Sequence, residues 1–198
     1  YKRASRPAKD DKRLEDVKVK LARVRALQEV GRSSQALPLA LEAAQDAETL
    51  GEASLLALAL RAVGQARREG GELRAAMSDF YAAIDAADVA HDDATRAEAW
   101  ADLVGVGSWL HEGTDFARWF EHGMAALRRM GGDGPIEGHL RYAFGGAQFE
   151  LGNLAGARAE LERPAELSEG LFASDALAVL AGAYDSLGEA GLAVQALE

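Results

Sequence analysis

Apolar side chains return along this sequence at intervals of three and four, the spacing that lines one face of an α-helix. Val17, Leu21, Val24 and Leu27 form such a stripe between Leu14 and Val30, and Gly31 ends it. Leu37, Leu41, Ala44 and Ala47 carry a second stripe to Leu50-Gly51. Glycine suits the left-handed position just past a helix, and Ser33 or Ser34 offers a hydroxyl to cap the next one. Pro38 reads as part of that helix's first turn, where a missing N–H costs little. Two helices joined by a short turn make an antiparallel hairpin. The unit then returns. Leu56, Leu60, Val63 and Ala66 lead to Gly70-Gly71, and Met77, Phe80 and Ile84 return to His91-Asp92-Asp93. Trp100, Leu103 and Trp109 lead to Gly113, with Phe116, Trp119, Phe120, Met124 and Leu127 on the return. Leu140, Phe144 and Leu151 lead to Gly152, and Leu154, Ala157, Leu161 and Leu167 return through Pro164, which should kink or end that helix. Leu177, Leu180, Tyr184 and Leu187 precede Gly188, and the second helix of this last unit is cut short at Glu198.

A small-residue signal keeps step with these units. Gly31, Gly71, Gly113, Gly152 and Gly188 are each followed four or five positions later by Ala36, Ala76, Ala117, Ala157 and Ala193. A repeat near 40 residues marks a helical array. Two helices of a hairpin approach most closely near their connection, and a methyl group there permits the approach. Gly64, Gly105 and Gly145 lie two turns before their turn glycines. An interior glycine costs about 1 kcal/mol against alanine, so close helix contact is the expected reason for its recurrence.

These residues resemble the tetratricopeptide family. The family's order of small residue, turn glycine, alanine and large apolar residue is matched by Gly64, Gly71, Ala76 and Phe80; by Gly145, Gly152, Ala157 and Leu161; and by Ala181, Gly188, Ala193 and Leu197. The resemblance covers about residues 14–198 and implies an all-α, right-handed superhelical solenoid of about five hairpins, over residues 14–51, 54–91, 94–131, 135–170 and 174–198. The period suggests the long-repeat branch, as in kinesin light chains and in regions attached to bacterial serine/threonine kinases or large regulators. Three positions depart from the family. Arg23 stands where leucine is preferred, and Arg67 and Gln148 stand where aromatics are expected.

The resemblance also implies a function. Such arrays are non-enzymatic scaffolds that hold a protein or peptide segment against their first helices. By alignment that groove receives Lys18, Leu21, Arg25 and Gln28, then Arg61, Gln65 and Arg68, then Asp102, Val106 and Trp109, then His139, Tyr142 and Phe149. A surface basic at one end and aromatic in the middle favours an acidic peptide with an apolar anchor. The alternative is that the arginines cover neighbouring helices and the aromatics are core. The family's carboxylate clamp for chaperone tails is absent, because Leu21, Ala99, Arg25, Ala62 and Leu103 stand where its lysines, asparagines and arginine would be. A second reading is a regulatory or self-associating part of a larger signalling protein, joined through the truncated last repeat.

Composition narrows the chemistry. Cysteine is absent, which removes disulfides, thiolate metal sites and thiol nucleophiles. Residues 1–13 hold six basic and two acidic side chains, net +4, leaving −14 for the rest of a chain whose total is −10. So acidic a body repels phosphate backbones, and nucleic acid is not an expected partner. The basic stretch reads as a disordered arm or linker, with anionic lipid or nucleic acid as the alternative contact. Ser5, after Lys2-Arg3-Ala4, is a weak match to basophilic kinase sites. No apolar run reaches the length of a membrane span. A cytoplasmic setting is the expectation, for a chain that reads as part of something longer. Gly105-Val106-Gly107-Ser108 lacks the lysine and the strand of a phosphate loop. His91, His111, His122 and His139 include no pair four apart, the spacing that puts two imidazoles on one helical face for a metal. No catalytic residue, metal or cofactor is expected.

Overall fold

A computed structural model describes residues 8–110, 115–167, 171–189 and 191–193. Nine α-helices run through the described residues: α1 Ala8–Glu29, α2 Ser33–Leu50, α3 Ala53–Glu69, α4 Leu73–Ala90, α5 Asp93–Leu110, α6 Phe116–Arg129, α7 Gly134–Glu150, α8 Leu154–Leu167 and α9 Leu171–Ser186. Residues 191–193 are helical again. The fold comprises two compact units, Tyr1–Thr95 and Arg96–Glu198. In the first, α1 packs on α2, α2 on α3 and α3 on α4; in the second, α6 packs on α7, α7 on α8 and α8 on α9.

Several ends differ from the sequence expectation. Helix α1 starts at Ala8, inside the stretch read as a disordered arm; residues 1–7 lie outside the described residues. Apolar periodicity marks where a helix is buried, not where it begins. Asp10 and Asp11 in the first turn favour an early start by facing the positive end of the helix dipole. Neither Ser33 nor Ser34 caps α2; the cap position is Arg32, whose carbonyl accepts from the N–H groups of Gln35 and Ala36. Pro38 is therefore the sixth residue of α2, a turn deeper than expected. Helix α8 continues past Pro164 to Leu167. Side-chain caps occur at α5, α6, α7 and α8, where Asp92 accepts from the Thr95 N–H at 3.0 Å, Asp115 from that of Arg118 at 3.2 Å, Asp133 from that of Ile136 at 3.1 Å and Asn153 from that of Gly156 at 3.2 Å.

The turns use left-handed backbone. At Gly71, φ is +81°, and the N–H groups of Gly71 and Glu72 donate to the carbonyls of Arg68 and Arg67. Between hairpins the same role falls to Gly51 at φ +67° and to His91 at φ +54°. A side chain in that region costs about 1–2 kcal/mol. His91→Gly should therefore raise stability by about 1 kcal/mol after the added backbone entropy of glycine. Urea unfolding followed by far-ultraviolet circular dichroism checks this, and no gain would show that the exposed imidazole offsets its own strain.

The core is built on complementary sizes. The fourth residues of α2, α4 and α8 are Ala36, Ala76 and Ala157, all fully buried. The eighth residues, Ala40, Phe80 and Leu161, are fully buried too. Each eighth residue meets a partner of opposite size on the preceding helix. Phe80 lies over Gly64 and Leu161 over Gly145, so close that a Cβ on either glycine would come within 2.6 Å of the facing side chain. Ala40 shares its cluster with the larger Val24. The third hairpin inverts the rule. Its alanine, Ala117, is exposed, contrary to the repeat reading, because α6 starts at Phe116 and its fourth residue is Trp119. The indole fits because Gly107 faces it. The eighth residue is Gly123, and Leu140 of α7 fills that notch. Gly105, expected at a helix contact, has no side chain within reach; Gly107 does that work. Gly113 lies outside the described residues.

Candidate interaction surface

First helices lie side by side within each unit, α1 against α3 and α7 against α9. Gln28 of α1 joins the first pair by donating its side-chain N–H to the Ala62 carbonyl at 3.1 Å. Phe149 of α7 rests against Gly182 of α9. Helices of successive hairpins thus form a continuous face inside each unit, where the sequence placed its groove.

The named side chains divide among surface, middle and core. Lys18 and Arg25 are exposed, but Lys18 pairs with Glu15 at 2.7 Å and Arg25 with Glu29 at 3.0 Å on the same helix. Their charge is therefore balanced locally. Arg61, Gln65 and Arg68 on α3 are half-buried and engaged in polar or electrostatic contacts. Leu21 packs against the Val17 cluster. Asp102 and Val106 are buried and belong to the interior. His139 is buried as well, its Nε2 at 3.8 Å from Oδ1 of Asp102. Tyr142 and Phe149 lean on the cluster of Leu161, Leu180 and Tyr184. Trp109 alone among these aromatics is open, at 57 % exposure.

Ion pairs within hairpins were missed in the sequence. Arg67 of α3 reaches Asp79 of α4 with two hydrogen bonds of 2.9 and 2.8 Å. Burial pushes the Asp79 carboxyl above its usual range, and Arg67 pulls it part of the way back. Arg141 of α7 bonds to Glu137 at 2.8 Å and to Glu160 of α8 at 2.6 Å. Burial lowers that guanidinium, but the two glutamates outweigh it and hold it above its ordinary value. Arg158 of α8 holds Glu162 and Glu189 and lies over the Tyr184 ring, whose hydroxyl donates to Glu162. The hydrogen bond from Arg158 sets the Glu162 carboxyl below its usual range. Asp79 and Glu160 occupy equivalent places, eight residues after the turn glycine. That shared acid was the available signal, and it explains Arg67 at an aromatic's position. Gln148, the other departure, accepts from Asn153 across its turn.

The histidines are scattered. His91 ends α4, His122 stacks on Trp100 with ring centroids 5.0 Å apart, His139 is interior, and His111 lies outside the described residues. Among the described residues no three His, Asp or Glu side chains gather as metal ligands. No described helix is long and apolar enough to cross a membrane.

The hairpins, their turn glycines and their paired faces define a TPR-like helical repeat fold, all-α. Solved structures bear this out. The chain is similar to BtubC (BKLC) from P. vanneervenii, at 13 % identity over 97 % of this chain and 89 % of that one, with a TM-score of 0.68. It is equally similar to a Podosopora anserina protein described as a kinesin light chain with nearly identical TPR-like repeats, at 14 % identity over 92 % of both chains and a TM-score of 0.67. No family model matches the sequence, and no curated protein matches it.

Proposed function

We propose that this chain is a non-enzymatic protein-interaction scaffold that holds a protein or peptide segment against its first helices. The observation that carries the reading is the pairing of α1 with α3 and of α7 with α9, which presents an extended face of the kind repeat proteins use for binding. Trp109 supports it as an anchor, since an exposed indole offers large contact area at small entropic cost. A preference for acidic ligands rests on the basic side chains that the first helices carry, Lys18 and Arg25 on α1 and Arg61 and Arg68 on α3, all of which also engage partners within the chain. Titration with an acidic peptide tests the basic face of the first unit, and a separate titration with a tryptophan-bearing peptide tests the exposed indole of the second. Arg61→Glu with Arg68→Glu should weaken binding by about tenfold or more through charge reversal, and Trp109→Ala by a similar factor. Unchanged affinity in both variants would sink the groove. A second reading, a regulatory or self-associating region of a larger signalling protein such as a bacterial kinase, is supported by exposed Leu187 and Leu192 on the last described repeat.

A further inference from the structure

A glycine inside a helix costs stability, so each one needs a reason. Facing side chains supply it at Gly64, Gly107, Gly123 and Gly145, where an added Cβ would come closer than 3.0 Å to a neighbour. Gly146 has no such reason: among the described residues, nothing lies within 4 Å of where its Cβ would stand. Gly105 is open as well, but in the hairpin whose size rule is inverted. The vacancy at Gly146 is on a first helix, α7, and belongs to the candidate face. Tyr142 stands about one turn before it and Phe149 about one turn after, on the same side of the helix. Both rings are half-buried and pack against the cluster of Leu161, Leu180 and Tyr184. Their backbone positions are about 10 Å apart along the axis.

The charge around this notch is one-sided. Residues 96–198 contain seven arginines, no lysine and sixteen acids, so the second unit carries −9 of the chain's −10. Asp185 is exposed one turn beyond Gly182, the α9 residue that Phe149 touches. A body of that sign draws cations in and repels acids. Aromatic faces hold cations, and a guanidinium suits them because it is planar and weakly hydrated. The unit uses that contact twice within itself, with Arg141 at 5.9 Å from the centre of the Phe120 ring and Arg158 at 5.2 Å from that of Tyr184.

We infer that the second unit takes an arginine of a partner protein at Gly146, its guanidinium held between the rings of Tyr142 and Phe149. Glycine at this position keeps the floor low enough for the incoming group to lie between them. Such a site presupposes the scaffold role proposed above. It gives that role a second specificity, for a basic segment, beside the acidic one assigned to the first unit.

Amide chemical-shift mapping on the isotope-labelled chain tests this with three blocked peptides that share a glycine–serine frame and carry arginines, glutamates or tryptophans. The arginine peptide should move the signals of Tyr142, Gly146 and Phe149, and its effect should fade in high salt. Gly146→Leu, which fills the notch, and Tyr142→Leu with Phe149→Leu, which removes both ring faces, should each weaken it about fivefold or more. Gly146→Ala should melt no lower than the parent, whereas Gly145→Ala should melt lower, since its methyl would strike Leu161. A silent arginine peptide, an equal response of these signals to the glutamate or tryptophan peptide, full affinity in Gly146→Leu, or a Gly146→Ala chain that melts lower would each overturn the site. Binding of the glutamate peptide at Arg61 and Arg68 would in that case leave the scaffold role standing.

Discussion

Gly64→Val is expected to cost the first unit about 3 kcal/mol, and Phe80→Ala a similar amount or more, yet the two together should cost far less than their sum. The reason lies in the contact between them. A Cβ at position 64 would stand 2.6 Å from Cε1 and 2.8 Å from Cδ1 of the Phe80 ring. The ring is fully buried and cannot swing into solvent. Even alanine, worth about 1 kcal/mol in helix propensity, should lose more in overpacking than it gains. The double variant recreates a pairing that this chain already holds one repeat earlier, where Val24 shares a cluster with Ala40. A favourable coupling of about 2 kcal/mol or more is expected in a urea denaturation cycle. Trp100, Trp109 and Trp119 all lie in the other unit, so backbone circular dichroism is the probe to use. A single valine costing under about 1 kcal/mol, or strictly additive penalties, would remove size exchange as the organising principle of these hairpins.

Size exchange also explains which parts of the fold were legible in the sequence. Turn glycines and apolar stripes depend on backbone conformation and on one helix at a time, so the hairpins and their period could be read directly. The identity of the residue at each close contact depends on two helices together. The alanine after the turn is buried at Ala36, Ala76 and Ala157 but exposed at Ala117. In that hairpin the small partner had moved to Gly107 on the opposite helix. The interaction face was legible as a helix face but not residue by residue. Asp102 and Val106 share the groove's spacing but are interior, because exposure is set by neighbouring helices. The balance of Lys18 by Glu15 and of Arg25 by Glu29 was open to inspection, since residues three and four apart on a helix are neighbours.

Removing Arg67 should damage the protein more than removing the ion pair it belongs to. Asp79 keeps only 13 % of its side chain exposed, and Arg67 keeps 27 %. Burial raises the Asp79 carboxyl, and the arginine only partly offsets it. The pair is therefore not a large net source of stability. Taking away the cation alone leaves a desolvated anion, at a cost of about 2–3 kcal/mol at neutral pH, somewhat less than for a fully buried pair. Replacing both partners, as in Arg67→Tyr with Asp79→Ala, restores the aromatic that this position usually carries and should fall within about 1 kcal/mol of the parent. The pH dependence separates this account from simple loss of packing. Asp79 has its folded pKa above the unfolded one, and without Arg67 the gap widens. Such a group adds stability that is complete below the unfolded pKa and is lost as pH rises through the folded one. Arg67→Ala should accordingly be nearest to the parent at pH about 4 and furthest from it at neutral pH. Unfolding titrations at both pH values, on Arg67→Ala and on the double variant, read this directly. A penalty that stays constant with pH, or a double variant worse than the single, would mean that the arginine stem and not its charge holds α3 to α4.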